Sequence, residues 1–336
     1  MTVHRRHFLL ASTALALAPV LRAQTVKPLN TAGPPQIYMV TWRGETAVEK
    51  GFRDYWKTRR ADVEFIARDA GQNRARLAEF SAEIVRDKPD LVYTWGTPPT
   101  VGLAGTVDNP HAVIGKTIPL VFAAVTDPIG AKIVATLGSP GRNLTGVTHV
   151  APLEAQLKAM RAYGSVKGVA VIYNKLESNS LGIVDEWRRI GARDNIVVAA
   201  DSFALNAEGK PTPDMLEEKL ARLKTAGADW LYLPPDSYVS TQGDAIARIA
   251  TGLGLKSFAS VETLLNVKGP VLMGLVSKFY QVGQFAAYKA EQKLSGAASV
   301  PVETLKRFSL IVRMDTAKAL GAMPPLGLVE YAEFQP

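Results

Sequence analysis

The sequence predicts an α/β protein made of two lobes, each built on a mainly parallel sheet with helices on both faces. Two observations predict this class. Apolar strand-like runs alternate with amphipathic helix-like segments along the chain, which is the order that parallel sheets require. The alternation also occurs in two similar series, and 336 residues are enough for two domains of roughly 150 residues each.

The N-terminus has the pattern of an export signal. Arg5 and Arg6 precede an apolar run at residues 8–21, and the small residue Ala23 follows. The run is too short to span a bilayer, so the pattern predicts a signal peptide at residues 1–23, cleaved near Ala23, and a periplasmic protein. The arginine pair also resembles a twin-arginine signal, and an ordinary secretory signal is the alternative.

Composition excludes several classes of function. The formal net charge of +8 falls to +5 without the three arginines of residues 1–23, and basic residues are scattered, so no nucleic-acid partner is expected. The absence of Cys excludes disulfides, thiol chemistry and a lipoprotein anchor. No P-loop, His-Glu-x-x-His or Gly-x-Ser-x-Gly motif occurs. We therefore predict no enzyme, no cofactor and no metal site, and interpret His111 and His149 as surface or loop residues.

The first series follows an extended, proline-containing leader at residues 24–36. Apolar runs predict strands at residues 37–42, 63–68, 91–96 and 119–125. Helical periodicity predicts helices at residues 47–59, 75–88 and 129–137. This series forms the predicted first lobe.

The second series begins near residue 153 and has the same alternation. Helices are predicted at residues 153–163, 181–192, 213–226 and 241–253, and strands at residues 169–174, 196–202, 230–233 and 256–260. The tail adds strands at 271–276 and 308–312 and helices at 281–294 and 316–320, which are too few for a third domain.

These elements predict a chain that passes between the lobes three times. The first lobe is assigned residues 37–146 and about 277–300, and the second lobe residues 147–276 and about 313–336. The crossings are expected near residues 141–148, 271–278 and 300–312. Several crossings restrict a hinge more than a single linker does.

The predicted ligand site lies beyond the carboxyl ends of the strands, where ligands bind in open parallel sheets and where the next helix offers free N–H groups. The candidate ligand-binding residues are those that follow the strands: Thr41, Trp42, Trp95, Gly96, Thr97 and Asp127 in the first lobe, and Asn174, Asn179, Asp236, Ser260 and Glu262 in the second lobe.

Several of these residues have a structural alternative. Thr97 suits a ligand carboxylate or a helix cap, and Asp127 suits an ammonium group or, as the favoured role, a cap for the helix at 129–137. Asp236 is interpreted either as an amine-binding residue or as a solvated loop residue. Trp42 and Trp95 are placed to stack on an apolar or aromatic ligand.

Two segments resemble a known family. VFAAVTDP at residues 121–128 and SPGRNLTGV at residues 139–147 are similar to the signature of the tryptophan/tyrosine-type ABC transporter substrate-binding proteins. The resemblance extends over nearly all of the chain after residue 23. It implies a type I periplasmic binding protein fold, in which two Rossmann-like lobes are joined by three crossings. It also implies amino-acid-like or other small organic ligands.

The leading hypothesis is a periplasmic solute-binding protein of an ABC importer, monomeric, whose ligand lies between the lobes. The ligand is expected to dock on Thr97 and the helix N-terminus after it, and Asn174, Asp236 and Glu262 would complete the cage on closure. Its partners are a small-molecule ligand and the transporter's membrane subunits. The alternatives are an exported sensor that reports to a membrane kinase and an exported α/β enzyme.

Overall fold

The computed structural model describes residues 33–269 and 271–336, so the predicted signal peptide and most of the predicted leader lie outside the described residues. The strands are β1 Gln36–Thr41, β2 Glu64–Asp69, β3 Leu91–Trp95, β4 Leu120–Ala123, β5 Leu144–Thr148, β6 Gly168–Tyr173, β7 Val197–Ser202, β8 Ala204–Leu205, β9 Pro211–Thr212, β10 Trp230–Leu233, β11 Lys256–Ala259, β12 Met273–Val276, β13 Glu303–Thr304, β14 Ser309–Arg313 and β15 Ala332–Gln335.

The helices alternate with the strands. They are α1 Ala47–Arg59, α2 Ala75–Asp87, α3 Thr97–Ala104, α4 Leu153–Tyr163, α5 Ser178–Asp194, α6 Leu216–Thr225, α7 Ser237–Thr241, α8 Gly243–Gly252, α9 Glu262–Leu265, α10 Phe279–Leu294 and α11 Met314–Ala319, with a 3-10 helix at Leu326–Leu328.

Two large sheets organise the described chain. The first has the order β13-β5-β4-β3-β1-β2 and is parallel throughout, and the second has the order β15-β14-β12-β11-β10-β6-β7. In the second sheet β14 runs antiparallel to β12, and the other pairs are parallel, so both sheets are mainly parallel as predicted. The first sheet and its helices are called the first lobe below, and the second sheet and its helices the second lobe.

The second sheet is buried on both faces, as its continuous apolar strands require. Along β6, Val169 and Val171 join one hydrophobic cluster, while Ala170 and Ile172 join the other. Successive side chains of a strand point to opposite faces, so the two clusters cover the two sides of the sheet, and the cluster of Ala170 and Ile172 also includes the core of the first lobe.

The chain leaves the first sheet later than the sequence suggested. Residues 144–148, expected in the first crossing, form β5 inside the first sheet. Val150 then forms an isolated antiparallel bridge with Val276, which brings the first two passages side by side. The chain returns through α10 and β13 to the first lobe and passes again to the second sheet at β14.

The helix predicted at residues 129–137 does not form, and the segment is a series of turns. Lys132 has a φ of 55°, in the left-handed region, and a residue in that conformation ends a right-handed helix. Asp127 therefore caps a turn instead of a helix: its Oδ1 accepts the N–H of Gly130 at 2.8 Å.

The return helix α10 packs closely on α1 through two glycines. A Cβ atom on Gly51 would collide with the Tyr280 carbonyl oxygen, and one on Gly283 would collide with the Val48 carbonyl oxygen. Both obstacles are backbone atoms, which cannot rotate away as a side chain can. The absence of a side chain at these positions thus allows the two helix backbones to touch.

We expect the Gly283→Ala substitution to lower the free energy of unfolding by about 1–3 kcal/mol, because the added methyl group separates α10 from α1. The matched control is Gly182→Ala in α5, where a new Cβ meets nothing within 4 Å. There the better helix propensity of Ala should stabilise the protein by about 0.5–1 kcal/mol. Urea unfolding measures both, and equal effects at the two glycines would contradict the packing argument.

Candidate ligand-binding site

Each sheet has one point at which the chain order of its strands reverses, and these two points are candidate ligand-binding positions. In the first sheet β1 lies between β2 and β3, and in the second sheet β6 lies between β7 and β10, so the chain order reverses at β1/β3 and at β6/β10. Open α/β sheets bind ligands beyond the carboxyl ends of the strands at such points. The loops after these four strands line one cavity between the lobes.

This cavity, called the inner chamber below, takes its principal side chains from both lobes: Arg43, Trp95, Thr97, His149, Glu177 and Asp236. Its volume is about 30 Å³, little more than the space of one water molecule. The two lobes therefore lie close together around it, and a larger ligand needs them to separate.

Buried polar atoms without a hydrogen-bond partner are concentrated around the inner chamber. They include Arg43 Nε, Trp95 Nε1, His149 Nδ1, Asn179 Oδ1 and Thr263 Oγ1. A buried polar atom without a partner costs roughly 1–3 kcal/mol, so folded proteins contain few of them. Their position around one chamber indicates a site that binds a polar ligand.

Arg43 brings a positive charge into the inner chamber from the loop after β1. Its guanidinium carbon lies 5.2 Å from the centroid of the Trp95 ring, a cation–π contact. Burial lowers the pKa of Arg43, and the carboxylates of Glu177 and Asp236 oppose this shift. Because both carboxylates belong to the second lobe, opposite charges face each other across the cleft.

Asp236 organises the second-lobe side of the inner chamber. Its carboxylate accepts the N–H groups of Asn174 at 2.7 Å, Tyr238 at 2.8 Å and Val239 at 2.9 Å, and the Ser180 hydroxyl at 2.6 Å. Burial raises the pKa of Asp236, and these four donors oppose the shift. Asp236 is thus neither a solvated loop residue nor a carboxylate with spare capacity.

Glu177 is the second carboxyl group of the inner chamber and was absent from the sequence-based candidates. Its Oε2 accepts hydrogen bonds from the Ser237 N–H at 3.2 Å and from Asn179 Nδ2 at 3.4 Å. Burial and the nearby charge of Asp236 raise the pKa of Glu177 to about 7. With two long hydrogen bonds, both to one oxygen, Glu177 is better suited than Asp236 to bind a ligand cation.

His149 lies in the inner chamber, where the chain first passes between the lobes, and is not the surface or loop residue that the sequence suggested. It is 5% exposed. Its ring meets the Phe279 ring edge to face at 5.6 Å, which joins the first passage to the second. Burial and the charge of Arg43 lower the pKa of His149 to about 3, so the ring is neutral at physiological pH.

The structure brings some of the predicted site residues into the inner chamber. Trp95, Gly96, Thr97, Asn179 and Asp236 line it. Asp127 lies outside it, in a neighbouring part of the cleft.

The other predicted residues do not line the chamber and have protein partners or core positions. Thr41 donates to Asp69 Oδ1 at 3.0 Å, and Ser260 donates to the Leu233 carbonyl at 2.8 Å. Glu262 Oε2 accepts the Phe279 N–H at 2.6 Å, and Asn174 Oδ1 accepts the Leu176 N–H at 3.0 Å. Trp42 is buried in the hydrophobic core of the first lobe.

Within residues 33–269 and 271–336, no group of three or more His, Cys, Asp or Glu side chains is arranged to hold a metal ion. No helix there has the length and hydrophobicity needed to span a membrane.

The depressed pKa of His149 predicts a loss of stability in acid. Below about pH 6.5 the unfolded chain protonates this histidine while the folded chain does not, so the free energy of unfolding falls as the pH falls from 6.5 towards 3. At pH 5 the loss is about 2 kcal/mol. We expect the free energy of unfolding of His149→Gln to fall by about 2 kcal/mol less between pH 7 and pH 5 than that of the unchanged protein. Denaturant unfolding at several pH values measures this difference. If both proteins lose the same stability between pH 7 and pH 5, His149 is not held neutral in the folded state.

The chain is similar to amino-acid-binding proteins. A tyrosine-binding protein from Clostridioides difficile (strain R20291) is 26% identical over 275 residues, which cover 81% of this chain and 73% of that protein. The structure of an ABC domain from Streptococcus pneumonia in complex with L-Trp is 22% identical, with a TM-score of 0.76, and the match covers 90% of this chain and 99% of that one.

A further solved structure has the same fold. It is the ligand-free, open structure of a substrate binding protein with adhesive properties from Clostridium difficile, 22% identical, with a TM-score of 0.66 over 90% of this chain and 99% of that one. The two-lobed α/β architecture is that of the type I periplasmic binding proteins, as the sequence predicted.

The family model for ABC transporter substrate binding proteins matches residues 45–333, which is most of the chain and includes strands of both sheets. Proteins of this family are solute-binding proteins rather than enzymes, bind small molecules and work with ABC transporters. From the match and the fold together, the chain belongs to the ABC transporter substrate binding protein family.

Proposed function

We propose that this protein is the periplasmic solute-binding component of an ABC importer and that it binds an amino acid in the inner chamber. One observation carries the proposal: Arg43 of the first lobe and Glu177 of the second lobe bring opposite charges to one buried chamber, several of whose polar atoms have no hydrogen-bond partner. An α-amino acid has a carboxylate and an ammonium group on one carbon, so each end meets an opposite charge. The tyrosine-binding relative and the L-Trp complex support the same ligand class.

The ligand carboxylate is assigned to Arg43 rather than to the N-terminus of α3. Pro98 and Pro99 occupy the first turn of this helix and have no N–H groups. The N–H of Thr100 already bonds the Gly96 carbonyl at 3.4 Å. The helix therefore offers few donors, whereas a guanidinium binds a carboxylate with two parallel hydrogen bonds. Thr97 can add its hydroxyl and its own N–H.

The ligand ammonium is assigned to Glu177 and Asn179, both in the segment that follows β6. Asn179 Nδ2 donates to the Pro235 carbonyl at 2.7 Å, and its Oδ1 is buried without a partner. An ammonium group beside Glu177 would favour the ionised carboxylate and lower the raised pKa of that side chain. Ligand binding near neutral pH is then accompanied by release of a proton.

Transport requires the lobes to open and close around this site. The inner chamber is too small for an amino acid to enter as it stands, so the lobes must separate about the passages near Val150 and Val276. The closed form would be recognised by the transporter's membrane subunits. The proposed route to the periplasm is export through the signal at residues 1–23, by the twin-arginine pathway.

A melting-temperature screen with the common L-amino acids tests the proposal. A ligand that binds only the folded state, present at a hundred times its Kd, stabilises that state by about 2.7 kcal/mol and raises the melting temperature. We expect Arg43→Gln and Glu177→Gln each to weaken binding by roughly 10- to 100-fold, since a hydrogen bond to a charged group contributes about 1.5–3 kcal/mol.

Glu186→Gln is the matched control, because Glu186 lies in the cleft but outside the inner chamber. Its affinity should equal that of the unchanged protein. The proposal fails if no amino acid shifts the melting temperature, or if all three variants weaken binding equally.

A further inference from the structure

A large groove lies on the first lobe, at the edge of the first sheet opposite the inner chamber. Pro119, which lines this groove, directly precedes β4, and Ala124, which lines the inner chamber, directly follows it. At about 3.3 Å per residue, this strand separates the two spaces by roughly 15 Å. The groove, called the basal groove below, has a volume of about 970 Å³, which is within the range of small-molecule sites. All of its walls belong to the first lobe, so it does not depend on closure of the lobes.

Three basic side chains from three separate segments line the basal groove. Lys116 comes from the turn before β4, Arg142 from the SPGRN segment before β5, and Lys293 from the last turn of α10. The lining has one acidic side chain, Asp90, whose Oδ2 accepts the N–H of Gln36 at 2.8 Å. Three positive charges and one negative charge leave a formal charge of +2. In the described part of the chain none of the three basic side chains forms a salt bridge.

Lys293 is the most deeply buried of the three basic residues and is 8% exposed. Its Nζ donates to the carbonyls of Ala297 at 3.0 Å and Ala298 at 3.4 Å, which carry no net charge. Burial lowers the pKa of Lys293. Lysine is rarely buried without an anionic partner, because the loss of hydration of its charge is costly. An anion in the basal groove would supply this partner and favour the charged form of Lys293.

Arg142 adds a partly buried charge and holds one wall of the basal groove in place. Its guanidinium donates to the carbonyls of Ala104, of Gly105 at 3.2 Å and of Ile133 at 2.9 Å. Burial lowers the pKa of Arg142, and its three acceptors are neutral. The wall is thus fixed to the end of α3, while the positive charge beside the groove has no carboxylate to balance it.

Neutral hydrogen-bonding groups complete the lining of the basal groove. The hydroxyl groups of Thr117, Ser139 and Ser299 and the amide group of Asn143 belong to it. Hydroxyl and amide groups can donate to anionic oxygens, as lysine and arginine do. A lining that combines several such donors with a positive charge is suited to an anion with several oxygens.

We propose that the basal groove is a second binding site, which binds the phosphate monoester group of a small molecule or of a membrane lipid. Such a group carries a charge of about −1.5 to −2 near pH 7 and presents three strong acceptor oxygens. Its charge balances that of the groove, whereas a carboxylate brings one charge and two oxygens. A neutral amino acid, the ligand class proposed for the inner chamber, brings no net charge to the groove.

Calorimetric titration of the intact protein with glycerol 3-phosphate tests this site. We expect Lys293→Met, which removes the buried charge and nearly keeps the length of the side chain, to weaken binding by at least about tenfold. Lys116→Ala removes an exposed charge and should weaken binding about threefold. Lys158→Ala is the matched control, because Lys158 is an exposed lysine of α4 in the second lobe. It should leave the affinity unchanged.

Vesicles of phosphatidic acid in phosphatidylcholine present the same glycerol phosphate group at a membrane surface, and sedimentation measures their binding. Binding of the soluble ester supports a small-molecule ligand, and binding of the vesicles alone supports a lipid. In either case Lys293→Met must weaken the binding.

Three results would overturn the proposal. The first is that neither probe binds. The second is that the three lysine variants weaken binding equally, as a general attraction between opposite charges would cause. The third is that Arg43→Gln abolishes binding and Lys293→Met does not, because the phosphate group would then lie in the inner chamber. If circular dichroism shows Lys293→Met to be unfolded, the comparison of Lys116→Ala with Lys158→Ala decides.

Discussion

The carboxylate of Asp236 is the interaction on which the second-lobe half of the site depends. Four donors from two separate segments converge on it, two from residues 174–180 and two from the start of α7. Each hydrogen bond to a charged group contributes about 1.5–3 kcal/mol. By tying the loop after β6 to the loop after β10, Asp236 fixes the position of Glu177 between them. It thus builds the site while its own hydrogen-bonding capacity is already used.

The architecture was predictable because a strand that is buried on both faces of a sheet has a continuous apolar sequence. Runs such as Val169–Ile172 are apolar without a break, and their alternation with helices specifies parallel pairing. The antiparallel direction of β14 and the two-residue strand β13 depend on which distant strand is adjacent, and no local pattern records that. The failure at residues 129–137 has another cause: Lys132 is in the left-handed conformation, and its carbonyl accepts the N–H of Val107, which lies far from it in the sequence, at 2.7 Å.

The sequence predicted where the candidate site lies better than it predicted which residues line it. Counting residues after each strand identified Trp95, Thr97, Asn179 and Asp236 of the inner chamber. The same rule cannot tell into which space a side chain points, so it also selected Thr41 and Ser260, which bond to their own lobes. Arg43, Glu177 and His149 were missed because charged and polar loop residues are usually solvated. Their burial arises only when a second lobe covers them.

The paired prolines at the start of α3 have a consequence for how this protein can change over generations. A helix that begins with free N–H groups carries its preference for anions in the backbone, where substitutions other than proline leave it in place. Pro98 and Pro99 take away most of that fixed contribution, and in the proposed site the carboxylate is bound by the side chain of Arg43 instead. In the proposed site, a substitution of Arg43 would therefore remove the positive charge of the first-lobe half without any change in the backbone of α3.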